Sequence, residues 1–190
     1  MTATPTPTTD DLVPGGAETM TKALDTGYRC TEYTEMTLGC GLAFRGTISD
    51  AEAAPVLEIY NHGSGGADQI YVLDQDRFDT YCRAAEPILL HPDEIDPAPE
   101  ALAGVLMSHH QYAEVLNKQR NMLVTPPGED FWLTGSHQVI TKSASKARHQ
   151  IMAAKLRDTQ PGTLIWSRHS ANWIPAGDYA DQVGPYTPGA

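Results

Sequence analysis

The stretch Asn61-His62-Gly63-Ser64-Gly65-Gly66 puts three glycines in six residues, between two runs that alternate as β-strands do. Before it, Val56 to Tyr60 sets Leu57 and Ile59 on one face and Val56, Glu58 and Tyr60 on the other; after it, Gln69 to Leu73 resumes the extended pattern. Alternation with period two is the mark of a strand, and clustered glycines supply the backbone angles of a tight reversal. The two runs are therefore expected to pair antiparallel across the loop. Upstream, Cys40, Leu42, Phe44, Gly46 and Ile48 alternate with Gly41, Ala43, Arg45 and Thr47, and Tyr28 to Leu38 is rich in Thr and Tyr. These are two further strands, which makes an antiparallel β-meander whose last reversal is the glycine-rich loop.

Helical spacing follows the meander. Phe78, Tyr81, Cys82 and Ala85 share a stripe, with Asp74 or Asp76 as the capping residue and Pro87 as the stop. From Pro99 to about Asn121 the residues Leu102, Val105, Leu106, His109, Tyr112, Ala113 and Leu116 line one face, and Lys118 and Arg120 sit where the helix dipole favours cations. A third helix is expected from Ser143 or Ser145 to Arg157, with Ala147, Ile151 and Ala154 on one face and Leu156 nearby. Met122 to Val124 and Thr163 to Trp166 read as short strands. The fold class is α+β, a meander packed against about three helices.

The 190 residues fit one domain, expected over 21–174, between a disordered Thr/Pro-rich tail over 1–20 and a flexible C-terminal tail over 175–190, whose Tyr179 and Tyr186 are not expected to make ordered core contacts. No apolar run approaches the roughly 20 residues that cross a bilayer, and the N-terminus has neither a basic nor an apolar leader region. A cytoplasmic location without membrane association is the simplest expectation. Cys30, Cys40 and Cys82 are too few and too far apart for a disulfide framework and are expected as buried thiols, with a Cys30–Cys40 bridge as the alternative. Net charge is −11, unevenly spread: residues 1–100 hold 18 Asp/Glu and 5 Lys/Arg, giving −13, while residues 101–190 hold 6 and 8, giving +2. So acidic a front half repels nucleic-acid phosphate and attracts a basic partner, besides serving solubility.

Asn61, Gly63, Gly65 and Gly66, together with the Phe44-x-Gly46 strand, resemble the corresponding loop and strand of a group of small uncharacterised proteins of phages, plasmids and bacterial genomes. The resemblance runs loosely from Cys40 to Trp166. It implies a phage or mobile-element setting, and it carries no catalytic residue or cofactor with it.

The residues themselves raise several chemistries. Backbone N–H groups in a glycine-rich turn form an anion nest, which makes the loop a candidate for a phosphate or nucleotide ligand. Yet no Lys follows Gly66 as a P-loop requires, the spacing is not G-x-G-x-x-G, and a strand rather than a helix comes next. The plainer reading is a turn shaped by backbone angles. His62 and Asp68 flank the loop and are candidates for an acid–base or metal pair across it. No H-E-x-x-H or paired-cysteine pattern occurs, so no metal or other cofactor is assigned. Ser64 lacks the neighbouring base that a nucleophile needs, and His109 reads as a core histidine. Lys142, Lys146, Arg148, Lys155 and Arg157 make the third helix basic, with Trp132 or Trp166 as a stacking face, a pattern open to nucleic acid.

The function expected is that of a small cytoplasmic interaction or regulatory protein, non-enzymatic and encoded by a phage or mobile element, which binds a host protein. The candidate contact residues are Asn61, His62, Gly63, Ser64, Gly65, Gly66 and Asp68. The alternatives are a phosphate- or nucleotide-binding module or enzyme using the 61–66 loop, and nucleic-acid binding through the basic helix 142–157.

Overall fold

The computed structural model describes residues 13, 15–39, 41–88, 98–141 and 145–182. Helix α1 (Gly16–Asp25) leads into a four-stranded antiparallel sheet, β1 (Arg29–Leu38), β2 (Gly41–Ser49), β3 (Pro55–His62) and β4 (Gln69–Val72), ordered β1-β2-β3-β4. The expected α+β meander is thus present, with the glycine-rich loop as its last reversal. Helix α2 (Gln75–Ala85) follows, then a single 3-10 turn over Glu86–Ile88 and the long helix α3 (Ala98–Lys118). The chain divides into two compact units between Gln111 and Tyr112. Where the sequence suggests one domain over 21–174, the chain builds a separate sheet in each part.

In the first unit the sheet turns Ile48, Leu57 and Ile59 inward, each fully buried. Burying one such side chain contributes about 1.5–3 kcal/mol. Helix α3 lies against this inner face. His110 Nδ1 is 2.9 Å from the Cys30 carbonyl, Gln111 Nε2 donates to Glu35 Oε2 at 2.9 Å, and a Cβ built on Gly46 would stand 2.6 Å from Met107 Sδ. Gly46 is small because the helix passes there. Helix α2 starts where Asp74 Oδ1 accepts the Arg77 N–H at 3.0 Å, so Asp74 is the cap. Arg77 also pairs with Asp50, whose Oδ1 accepts the N–H groups of Glu52 and Ala54 in the β2–β3 turn. One guanidinium thereby ties the helix to the turn.

The second unit holds a four-stranded antiparallel sheet ordered β6-β5-β7-β8, built from β5 (Met122–Thr125), β6 (Gln138–Thr141), β7 (Leu164–Ser167) and β8 (Asn172–Pro175). Helix α4 (Phe131–Thr134) is capped by Asp130, whose Oδ1 accepts the Trp132 N–H, and it stops at Gly135 with φ 65°. Helices α5 (Lys146–Thr159) and α6 (Ala176–Gln182) complete it. Met122, Val124, Ala153, Leu156, Ile165 and Ala176 form its core, and Tyr179 packs against them. Beside them Phe131 meets Tyr112, Trp132 and Trp173 with ring centroids 5.2, 5.1 and 4.9 Å apart.

Several expectations need correction. Regular structure begins inside the stretch read as an N-terminal tail, because Met20 and Ala23 give α1 a buried side, and it continues into the stretch read as a C-terminal tail, because Ala176 and Tyr179 pack in the core. Six helices are present among the described residues, since α1, α4 and α6 join the three expected. Helix α5 buries His149 and Ala153 beside the expected Leu156, while Ala147 and Ala154 are only half-buried and Ile151 is 71% exposed. Cys40, Lys142 and Tyr186, and the segment from His91 to Pro97, lie outside the described residues. No helix among those described is long and apolar enough to cross a membrane.

Candidate functional site

Register places the side chains of the first sheet in rows. Glu32, Thr47, Glu58 and Tyr71 stand opposite one another across the four strands; the next row is Thr34, Arg45, Tyr60 and Gln69, and the next Met36, Ala43 and His62. Paired residues share a face, and these rows occupy the face turned away from α3. Within it Arg45 Nη2 donates to both carboxylate oxygens of Glu58 at 2.7 Å, Tyr60 Oη donates to Gln69 Oε1 at 2.6 Å, and Tyr60 packs edge-on against His62 with centroids 5.0 Å apart. The Glu58 carboxylate, through this hydrogen bond and its charge, holds the Arg45 pKa above its ordinary value. Met36 is 64% exposed and Tyr71 63%. Arg45, Glu58, Tyr60, His62 and Tyr71, with Phe44 and Asn61, line an open hollow of about 400 Å³.

The loop at its margin is closed on itself. Asn61 Oδ1 accepts the Gly63 N–H at 2.7 Å, while Asn61 Nδ2 donates to Asp68 Oδ1 at 2.7 Å and to the Gly66 carbonyl at 3.0 Å. Gly63 (φ 72°) lies so near β2 that an added Cβ would stand 2.9 Å from the Ala43 nitrogen. The Gly63 N–H is therefore already engaged, and the Asp68 carboxylate sits inside the turn where an anion would have to enter. Ser64, Gly65 and Gly66 are exposed.

Compared with protein-family models, curated proteins and solved structures, the chain finds no significant match in any of the three. Its site has to be read from its own geometry.

Of the loop residues singled out in the sequence, the structure brings Asn61 and Asp68 together, not His62 and Asp68. Adjacent strand residues point to opposite faces, so His62 stands with Tyr60 on the open face while Asn61 reaches back to Asp68. Among the described residues no group of three His, Cys, Asp or Glu is placed to hold a metal ion. Of the basic residues, Arg148, Lys155 and Arg157 are exposed on α5, and Arg157 Nε donates to Asp158 at 2.8 Å; Lys146 begins the helix. Trp132 and Trp166, expected as a stacking face, are each 3% exposed, held in the aromatic cluster with Trp166 Nε1 donating to Asn117 Oδ1. Neither offers a ring to a base.

Arg45, Glu58, Tyr60 and Tyr71 were not among the sequence candidates. Their signal was present in the alternation, since a half-buried meander turns every second residue of β2 and β3 away from the core. An open face of tyrosines around a satisfied ion pair suits recognition by apolar and cation–π contact.

Proposed function

We propose that this chain is a small, non-enzymatic interaction protein, set in a phage or mobile element, that binds a basic host protein through the open face of its first sheet. One observation carries the reading: Tyr71 and Met36, both more than three-fifths exposed, flank the Arg45–Glu58 pair on a sheet whose other face is covered by α3. Large exposed apolar side chains gathered round a charged pair mark interaction surfaces, and tyrosines and arginines dominate such contacts. Residues 11–111 hold 17 Asp/Glu and 5 Lys/Arg, giving −12, so electrostatic attraction selects a partner of the opposite sign.

The test is a photoreactive phenylalanine analogue at position 71, with the same analogue at the exposed Asp79 position on α2 as control, in cells of the native host. A discrete adduct at position 71, absent at 79 and lost when Tyr60→Ala is added, supports the reading. Equal labelling from both positions, or none from 71, overturns it.

A further inference from the structure

The strand at the end of the sheet is built to be extended. Resting on the reading just proposed, we infer that the partner docks by adding an extended segment to β4, and that this segment is apolar with a Lys or Arg at each end, six residues apart.

Backbone geometry comes first. Leu73 N–H donates to the Val56 carbonyl at 2.9 Å, and the register Leu57 to Val72 places Leu73 opposite Val56. That makes the two a hydrogen-bonded pair. In an antiparallel ladder such pairs alternate with pairs whose N–H and C=O groups point away from each other. The backbone groups of Val72 and Ile70 therefore face outward, at the free edge of the sheet.

Side chains make the same case. Tyr71, Val72 and Leu73 are 63%, 37% and 47% exposed, and Gln69 to Leu73 contains no charge. Edge strands that avoid pairing carry charges or bulges. The opposite edge does: β1 has a register break between Cys30 and Glu32 and carries Arg29, Glu32 and Glu35. Nothing of that kind interrupts β4, whose Tyr71 side chain also belongs to the open face, so an added strand would widen the surface already proposed for the partner.

Charge chooses the occupant. The uncharged run is bounded by Asp68 and Asp74, the first bonded to Asn61 and the second shared with Arg77, whose Nε is 3.5 Å away. A second copy of the chain that pairs its Ile70 with Val72 of the first, and its Val72 with Ile70, would turn about Tyr71. That would set Asp68 against Asp74 of the other copy at both ends, and like charges directly opposite are destabilising. A foreign strand with cations at its ends meets both carboxylates instead, and strand addition draws affinity from the main chain with specificity from the flanking side chains.

The experiment uses the full chain and three seven-residue β-prone peptides at millimolar concentration: one with Lys at its first and last positions, one with Glu there, and a Lys form N-methylated at its third and fifth residues. The Lys peptide is expected to bind about 10-fold more tightly than the Glu peptide. It should also slow amide exchange at Ile70 and Val72, and N-methylation should abolish both effects. Equal affinity of the Lys and Glu forms, no slowed exchange at Ile70 and Val72, or protection of those amides by self-association without peptide would each overturn the inference. An adduct at position 71 obtained alongside such a failure would leave the interaction reading standing and remove only the edge pairing.

Discussion

Asn61 and Asp68 face each other across the glycine-rich reversal, with Asn61 Nδ2 donating to Asp68 Oδ1 at 2.7 Å. The same amide bonds the Gly66 carbonyl and, through its oxygen, the Gly63 N–H, so one side chain closes the loop at three points. Asn61→Ala is expected to lower stability by about 1–2 kcal/mol, as loss of partly buried hydrogen bonds does. Asn61→Asp should cost more at pH 7, where two carboxylates meet, and recover on acidification. Urea unfolding of the three chains at pH 7 and pH 4 checks this, and a pH-independent Asn61→Asp deficit would count against the contact.

The three glycines of the loop do different things. Gly63 has φ 72°, and a Cβ added there would press on the β2 backbone at 2.9 Å, whereas Gly66 has open space around it. Backbone cannot yield as a side-chain end can. Gly63→Ala should therefore destabilise by roughly 2 kcal/mol or more, and Gly66→Ala by less than about 0.5 kcal/mol. Equal denaturation midpoints for the two variants would show that the approach of the loop to β2 is not tight.

Gly46 makes room for α3. The atoms a Cβ would meet are Met107 Sδ at 2.6 Å and Cγ at 3.1 Å, the flexible part of a side chain. Gly46→Val should cost about 1–3 kcal/mol by overpacking. Adding Met107→Ala to that variant is expected to cost less than Met107→Ala in the native chain, because the two changes share one space. A double-mutant cycle in urea measures the coupling; strict additivity would mean that helix and strand do not meet there.

The meander was legible because a sheet with one buried face writes itself as alternation: Leu57 and Ile59 in, Glu58 and Tyr60 out. Helix α2 was legible through Asp74, and α3 through its apolar stripe. Helix α5 was legible in its extent but not in its inner face, since its buried positions include His149 while Ile151 is exposed, and periodicity cannot choose a face when a polar residue lies inside. Nor could it show Phe131, Trp132 and Trp173 gathering with Tyr112, because that cluster joins residues distant in sequence. At the site the glycines are conspicuous as letters, yet they shape the turn. The proposed recognition surface lies in the outward residues of the strands on either side, visible only once the register across β2, β3 and β4 sets Arg45, Glu58, Tyr60 and Tyr71 together.

Cys30 gives a prediction in pH. Its thiol is buried beneath α3, and burial pushes its pKa from 9.0 up to about 12, against the smaller lowering from backbone hydrogen bonds at Glu32 and Thr47. A folded-state pKa above the unfolded value means that the folded chain holds the proton more tightly. The stabilisation is then complete below pH 9 and lost as pH rises towards 12, at no more than about 1.4 kcal/mol per pH unit. Cys30→Ala removes this titration, although it costs packing at every pH. The stability difference between native chain and variant should therefore be constant from pH 6 to 8 and shrink steadily above pH 9, as read from urea midpoints. At pH 8 the native thiol should also resist iodoacetamide until the chain is unfolded, because the thiolate is the reactive form. A difference that stays constant to pH 11, or rapid alkylation of Cys30 in the folded chain, would mean that this thiol is not shielded where β1 meets His110.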